Sequence, residues 1–393
     1  MIKLIPYLLF LVIIVISSGC YVLMQALIPE IELSVVIDSE QIKKKAFSEH
    51  IVAGKIQLTN FHSSTELEIS ILGGPFASDP IATGSNAIWF LSTSDYKKLA
   101  SHYFRDGQLE LGVGFDKNTE LLDVNNDGIF EIMQGGGGFQ EVGLLDSKGN
   151  TLWTFQPYPR ETSTPPHRMI VGDLNNDSIY EFYAAHYDGL YQLDDKGKVI
   201  WKVNNQVSDG PSVEALEIFI DRRNNKGYLI TLNDANNFDG MFQIYDYQGR
   251  KIRRFPIPFS IMDFEIVEWN ETVYILAGYS SGSHLGNKAV LMDLDGKITH
   301  NFELENFPGF ESQGISVKFS PDEAEYLVLL ARSKGFGNRT LLNIISPKGD
   351  IIYQEIVVET TAFISLDVPD RNKEVLIIGG DSGKLFEYEM MAN

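Results

Sequence analysis

An acidic turn occurs twice in this chain, as Asp123, Asn125, Asp127 and Glu131 and again, fifty residues on, as Asp173, Asn175, Asp177 and Glu181. A long pattern returning at a fixed distance marks a chain built from like units, each too small to bury its own apolar face alone. The period continues beyond the pair. Turn-forming residues stand at the matching places Asp221, Asn270, Ser320 and Asp367, so the steps from Asp123 onward are 50, 48, 49, 50 and 47 residues. Short apolar or alternating runs flank each of them, including Leu216 to Ile220 before Asp221 and Tyr228 to Thr231 after it. Such runs predict strands, at least two per unit.

A second turn lies 20 to 30 residues past the first in each unit, with Asp or Ser three residues ahead of glycine: Asp146/Gly149, Asp194/Gly197, Asp246/Gly249, Asp293/Gly296 and Ser346/Gly349. Glycine supplies the positive φ that a tight hairpin needs. This adds another strand pair, giving four antiparallel strands per unit. Four strands at a pitch near 48 residues match a β-propeller blade. In the last unit 379–393 aligns with the third strand of earlier units, and the sequence stops there. A blade left there would expose a sheet edge, so an N-terminal strand, either Ile31 to Asp38 or Ile51 to Phe61, is expected to complete it. The expectation is an all-β propeller of about seven four-stranded blades over residues 46–393, with the first unit, 62–104, the least regular. The 34 glycines and 44% apolar content suit one large β domain.

The acidic turns carry chemistry of their own. Side-chain oxygens at positions 0, +2, +4 and +8 of a tight loop converge, and calcium takes six to eight oxygen ligands. An EF-hand would need an acid at +11, where Gln134 and Ala184 stand. Strand-like IFEIM and IYEFYA follow at once, so each turn joins strands rather than helices. The alternative use of the same Asp and Asn residues is to close Asx-turns without metal. In later units Arg223, Ala324, Pro369 and Arg371 fall at or beside ligand positions, which argues for metal-free turns there.

The N-terminus predicts export. Residues 1–19 have the form of a signal peptide ending in Ser17-Ser18-Gly19 before Cys20, the only cysteine. This resembles a bacterial lipoprotein signal, which would lipidate Cys20 and leave residues 20–45 as a tether. Ser17 and the apolar YVLMQALI after Cys20 depart from that pattern. Leu4 to Ile28 is 25 residues without a charge, longer than the roughly 20 that span a bilayer. An uncleaved anchor over 1–28 is the rival. Either way the propeller stands outside the membrane at the bacterial cell envelope. With one cysteine no disulfide framework can form, and a net charge of −21 argues against nucleic-acid partners.

Catalytic signals are few. The seven histidines make no HExxH, and neither a GxSxG elbow nor a P-loop is present. Gly135 to Gly138 lacks the Lys-Ser/Thr that a phosphate loop requires and reads as a connection. Trp153 and Trp201, four residues past their hairpin glycines, are expected to pack between neighbouring blades, in places taken later by Arg253, His300 and Tyr353.

DVNNDGIFE and DLNNDSIYE resemble the FG-GAP or VCBS repeats of integrin-like propellers, while the hairpins ending GNTLW and GKVIW resemble the tryptophan-docking repeats of quinoprotein-like propellers. The resemblance implies two calcium ions. One would be held by Asp123, Asn125, Asp127, Glu131 and the Ile129 carbonyl, the other by Asp173, Asn175, Asp177, Glu181 and the Ile179 carbonyl.

Function then falls to the connections between second and third strands, on the face opposite the acidic turns. Their candidates for gripping a protein or glycan are Phe139, His186, Tyr187, Phe238, Tyr279, His284, Arg332 and Phe336. The expected role is a non-catalytic, membrane-anchored, calcium-binding scaffold. The alternative is an exported enzyme on the same architecture, a calcium-dependent polysaccharide lyase or a quinone-cofactor dehydrogenase. A lyase would require His186 or His284 to meet Arg332 in one cleft.

Overall fold

In the computed structural model, the structure describes residues 42–49, 53, 55–62, 67–73, 87–104, 119–134, 142–157, 168–186, 188–204, 213–221, 226–233, 240–257, 259, 261, 264–278, 288–304, 311–319, 324–332, 339–358, 360–368, 373–380 and 384–390. They form twenty-eight strands in seven antiparallel sheets of four. The molecule is a seven-bladed β-propeller. Along the chain the blades occupy 55–103, 120–155, 168–204, 213–256, 264–303 and 311–358, and the seventh combines 360–390 with 42–49.

The strand completing the seventh blade is Ile42–Glu49, paired with Lys384–Met390. Neither expected candidate fills that place. Residues 31–38 lie outside the described residues, and within 51–61 the strand Lys55–Thr59 is the first strand of blade 1. Blade 1 therefore begins seven residues ahead of the expected 62. The sequence pattern of Ile42–Glu49, with Lys43, Lys44 and Lys45 in succession, hid it, because an outermost strand needs no alternating apolar face and is often guarded by lysine.

The repeated hairpins take one geometry. In blade 2 the Gly149 amide donates to the Asp146 carbonyl at 2.9 Å and the Asp146 amide to the Asn150 carbonyl at 2.8 Å. Asp146 Oδ1 also accepts from the Lys148 and Asn150 amides at 2.9 and 2.8 Å. The hairpin glycines all hold positive φ, from +74° at Gly197 and Gly249 to +92° at Gly349. Next to each hairpin the register slips by one residue, as between Leu144 and Leu145, in all six blades that have one.

Blades pack face to face, so the core lies between sheets. Between blades 2 and 3, Met133, Leu144 and Phe155 meet Met169, Phe182 and Tyr191. Each such buried side chain contributes about 1.5–3 kcal/mol. Trp153 docks as expected. Its indole Nε1 donates to the Asp195 carbonyl of blade 3 at 2.8 Å, and a Cβ on Gly197 would lie 2.6 Å from its ring. Arg253 repeats the move toward blade 5, donating to the Leu294 carbonyl at 3.1 Å. The ring closes by the same means, since Val375, Ile377 and Leu385 of blade 7 share a core with Ile56, Ile69 and Trp89 of blade 1. Phe47 of the closing strand stacks on Tyr96 of blade 1 at 4.0 Å, and the Tyr96 hydroxyl donates to buried Glu387 of blade 7.

Candidate functional site

The two acidic turns join the first and second strands of blades 2 and 3, between Glu120–Leu122 and Glu131–Gln134 and between Arg168–Gly172 and Glu181–His186. Each is organised by its first aspartate. Asp173 Oδ1 accepts from the Asp177 amide at 3.0 Å and its Oδ2 from the Ser178 amide at 2.8 Å, while Asn175 Oδ1 also takes the Asp177 amide at 2.9 Å. Blade 2 matches it: Asp123 and Asn125 accept from Asp127 and Gly128 amides, each at 2.9 Å. The chain reverses through left-handed residues to do this, with φ of +57° and +80° at Asn126 and Gly128 and of +59° and +67° at Asn176 and Ser178.

The glutamate closes each turn from the next strand. Glu131 Oε2 accepts from the Val124 amide and Glu181 Oε2 from the Leu174 amide, both at 2.9 Å. In blade 3 one ligand oxygen from each of Asp173, Asp177 and Glu181 lies within 4.8 Å of the others, and among the described residues this is the single group of three that gathers so closely. Burial pushes the Glu181 carboxyl up to about 7, against the Leu174 amide, with the charges of Asp177 and Asp173 adding to the rise. Glu131 is raised for the same reasons, burial first.

Blade 1 repeats the closing glutamate of these turns, which sequence reading missed. Glu68, 1% exposed, opens the second strand as Glu131 and Glu181 do and accepts from the Phe61 amide at 2.9 Å. His62 takes the place of Asn125 and Asn175, with Nδ1 3.1 Å from Glu68 Oε2. The signal was the eight-residue spacing from Asn60 to Glu68, masked because the step from 60 to 123 is 63 residues and the +4 residue is Ser64. Blade 5 goes the other way: Asn270 and Glu271, at φ +50° and +60°, make a two-residue hairpin between Trp269 and Thr272, too short to gather ligands.

Of the opposite-face candidates, Phe139, Tyr187, Phe238, Tyr279, His284 and Phe336 lie outside the described residues, as do Cys20 and the Arg332 side chain. His186 is described, and it is buried at 2% exposure. Its Nδ1 lies 2.5 Å from Asp188 Oδ1. Asp188 also accepts from the Tyr191 hydroxyl at 2.8 Å and from the Lys202 ammonium. The structure thus brings His186 to Asp188, Tyr191 and Lys202, three residues the sequence did not single out, across a connection of two residues between Glu181–His186 and Gly189–Leu193. Asp188 gathers the imidazole and the ammonium to itself, an arrangement that fastens this edge of the blade.

No protein-family model and no curated protein matches the chain. Solved structures do. BBS1N, crystallised in complex with ARL6DN and soaked with mercury, is 9% identical, with 90% of this chain and 97% of that one covered and a TM-score of 0.56. The likeness is one of fold. BamB from Moraxella catarrhalis is 11% identical, with coverage of 89% and 99% and a TM-score of 0.47, too loose a superposition to build on.

Proposed function

We propose that this chain is a non-catalytic, calcium-binding propeller of the FG-GAP or VCBS kind, held at the membrane of the bacterial cell envelope by its N-terminus and serving as a binding scaffold for a protein or glycan. The observation that carries the calcium reading is the gathering of the Asp173, Asp177 and Glu181 oxygens within 4.8 Å. Calcium–oxygen distances of 2.3–2.6 Å place opposite ligands about 5 Å apart, so the cluster has the right size for such an ion. Its donors are all oxygen, as a hard cation prefers. Asn175 and the Ile179 carbonyl would complete the set in blade 3, and Asp123, Asn125, Asp127, Glu131 and the Ile129 carbonyl would form the blade 2 site. The ion would neutralise crowded carboxylates and fix the turn, a structural task.

The His186 cluster favours scaffold over enzyme. A general base needs a proton to take from a substrate, whereas His186 is buried against Asp188, and Lys202 is bound to the same carboxylate. BBS1N, crystallised with ARL6DN, is a precedent for a propeller of this fold that engages a protein. Lipidation at Cys20, or an uncleaved anchor over 1–28, would hold the chain at the envelope.

Crosslinking in cells followed by identification of the captured molecules tests the scaffold role. Recovery of a defined envelope protein or glycan supports it. Turnover of a polysaccharide or of a quinone-linked substrate by the purified chain would replace it with the enzyme reading.

A further inference from the structure

We propose that the face bearing the acidic turns and hairpins lies against an anionic lipid surface, touching it with a rim of lysines and aliphatic side chains. This deepens the reading that the N-terminal apolar run holds the chain at a membrane, and rests on it.

Topology decides where the chain enters the propeller. Third strands run toward the hairpin face, as Val142–Leu145 runs into the turn at Asp146. The third strand of blade 7 is Lys384–Met390, and Ile42 of the antiparallel closing strand pairs with Met390. Ile42 therefore stands at the hairpin face. Only 13 residues, 29–41, separate it from the uncharged run that ends at Ile28. Fully extended they span at most about 45 Å, close to the width of a propeller. The residues that precede Ile42 therefore join the propeller at this face.

The face has the composition such a surface requires. Among the described residues eleven large apolar side chains are exposed, and ten belong to this end of the blades, Tyr103 being the exception. Ile129 and Ile179 tip the acidic turns at 54% and 63% exposure. Leu99, Leu152, Ile200 and Ile252 occupy one repeated place, the second residue of an outer strand, each more than half exposed. Single exposed apolar residues are ordinary, but a repeated place at one end of successive blades is a pattern.

Cations follow the same circle. Six blades carry an exposed lysine in or beside the hairpin: Lys97, Lys148, Lys196, Lys251, Lys297 and Lys348. The seventh, which has no hairpin, presents Lys43 and Lys45 at the start of its closing strand. Lysines of this kind also guard sheet edges from pairing. What edge protection does not require is an aliphatic neighbour beside them. Basic residues mixed with apolar ones are what binds the headgroup region of an anionic leaflet. A net charge of −21 keeps the remainder of the molecule off that leaflet and so orients it. Calcium in the turns would neutralise their carboxylates, leaving the hairpin aspartates, such as Asp195 and Asp295, interspersed with the lysines.

The test uses the full chain reconstituted with calcium in vesicles of phosphatidylcholine and phosphatidylglycerol, read by flotation and by amide hydrogen exchange. Docking predicts severalfold slower exchange over 123–130, 146–152, 173–180 and 194–200 than in detergent, with the opposite strand ends unchanged. Protection should fall in vesicles of phosphatidylcholine alone. It should fall also in the variant carrying Lys148→Glu, Lys196→Glu, Lys297→Glu and Lys348→Glu, which would still float through its N-terminus. Flotation without protection at these segments, protection of the opposite face, or protection indifferent to phosphatidylglycerol and to the charge reversals overturns the proposal while leaving the anchor intact. Failure to float at all overturns the anchor reading and this one with it. Protection seen in cell-derived membranes but absent from pure lipid assigns the rim to a protein and likewise overturns it.

Discussion

The turns of blades 2 and 3 carry the same Asp, Asn, Asp and Glu at the same spacing, yet their surroundings differ. In blade 3 Leu174 is 1% exposed and its carbonyl accepts the Gly227 amide of blade 4 at 3.0 Å, so the neighbouring blade clamps the turn. Val124, its counterpart in blade 2, is only partly buried. The tighter turn brings Asn175 Nδ2 to 2.5 Å from Glu181 Oε1, against 3.4 Å for Asn125 and Glu131. It also holds Ser178 at a positive φ where blade 2 uses Gly128. The difference teaches that the oxygen-bearing side chains are written in the turn, whereas how closely they gather goes with the packing of the blade beside it.

Metal should expose this difference most strongly. With calcium at a hundred times its dissociation constant, a filled site stabilises the fold by about 2.7 kcal/mol. Melting curves with and without chelator should show Asp173→Ala losing more of the calcium-dependent stability than Asp123→Ala. Equal losses would abolish the distinction, and no calcium effect in the unmodified chain would remove metal from both turns.

Gly227→Ala attacks the clamp itself. The added Cβ would meet Leu174 side-chain and carbonyl atoms at 2.4–2.5 Å, and overpacking of this kind costs about 1–3 kcal/mol. Denaturant unfolding should register that loss. Calcium titration should show weaker binding in blade 3 while the blade 2 site stays as it was.

A third contrast appears without metal. A carboxyl whose folded value is raised binds its proton more tightly in the folded state, so stability falls as pH rises from its ordinary value to its folded one. For Glu181 that window runs from 4.5 to about 7. In chelator the protein should lose stability across it, and Glu181→Gln should flatten the slope more than Glu131→Gln does. A slope of opposite sign would show that the blade 3 carboxylates are compensated by something other than metal.

The smallest effect should come from exchanging the left-handed residues. A non-glycine residue at positive φ costs on the order of 1 kcal/mol, so Ser178→Gly should stabilise the chelated protein by somewhat less than this and Gly128→Ser destabilise it similarly. Thermal melts resolve both signs.

Much of this molecule was legible in its residues because a repeat states the same sentence several times. The hairpins at Asp146/Gly149 and their four counterparts lie where their glycines mark them, and the missing fourth strand of the last unit was correctly inferred to come from the N-terminus. Ile42–Glu49 itself was not found, since an outermost strand buries little and its run of lysines has no period to detect. The closing glutamate of blade 1 escaped for a related reason. Once Ser64 stands in place of aspartate the spacing is all that remains, and only the Phe61 amide on Glu68 reveals the shared glutamate contact.

By itself the sequence determined the unit: its four strands, its two turns and the oxygen-rich character of two of them, all consequences of contacts within about fifty residues. Tertiary structure decided what depends on neighbours. The clamp of Gly227 on Leu174 and the entry of Ile42 at the hairpin face arise where blades, or the two ends of the chain, come together. Local spacing carries no record of such contacts, because closing the ring joins residues separated by more than three hundred positions, as Phe47 is joined to Glu387 through Tyr96.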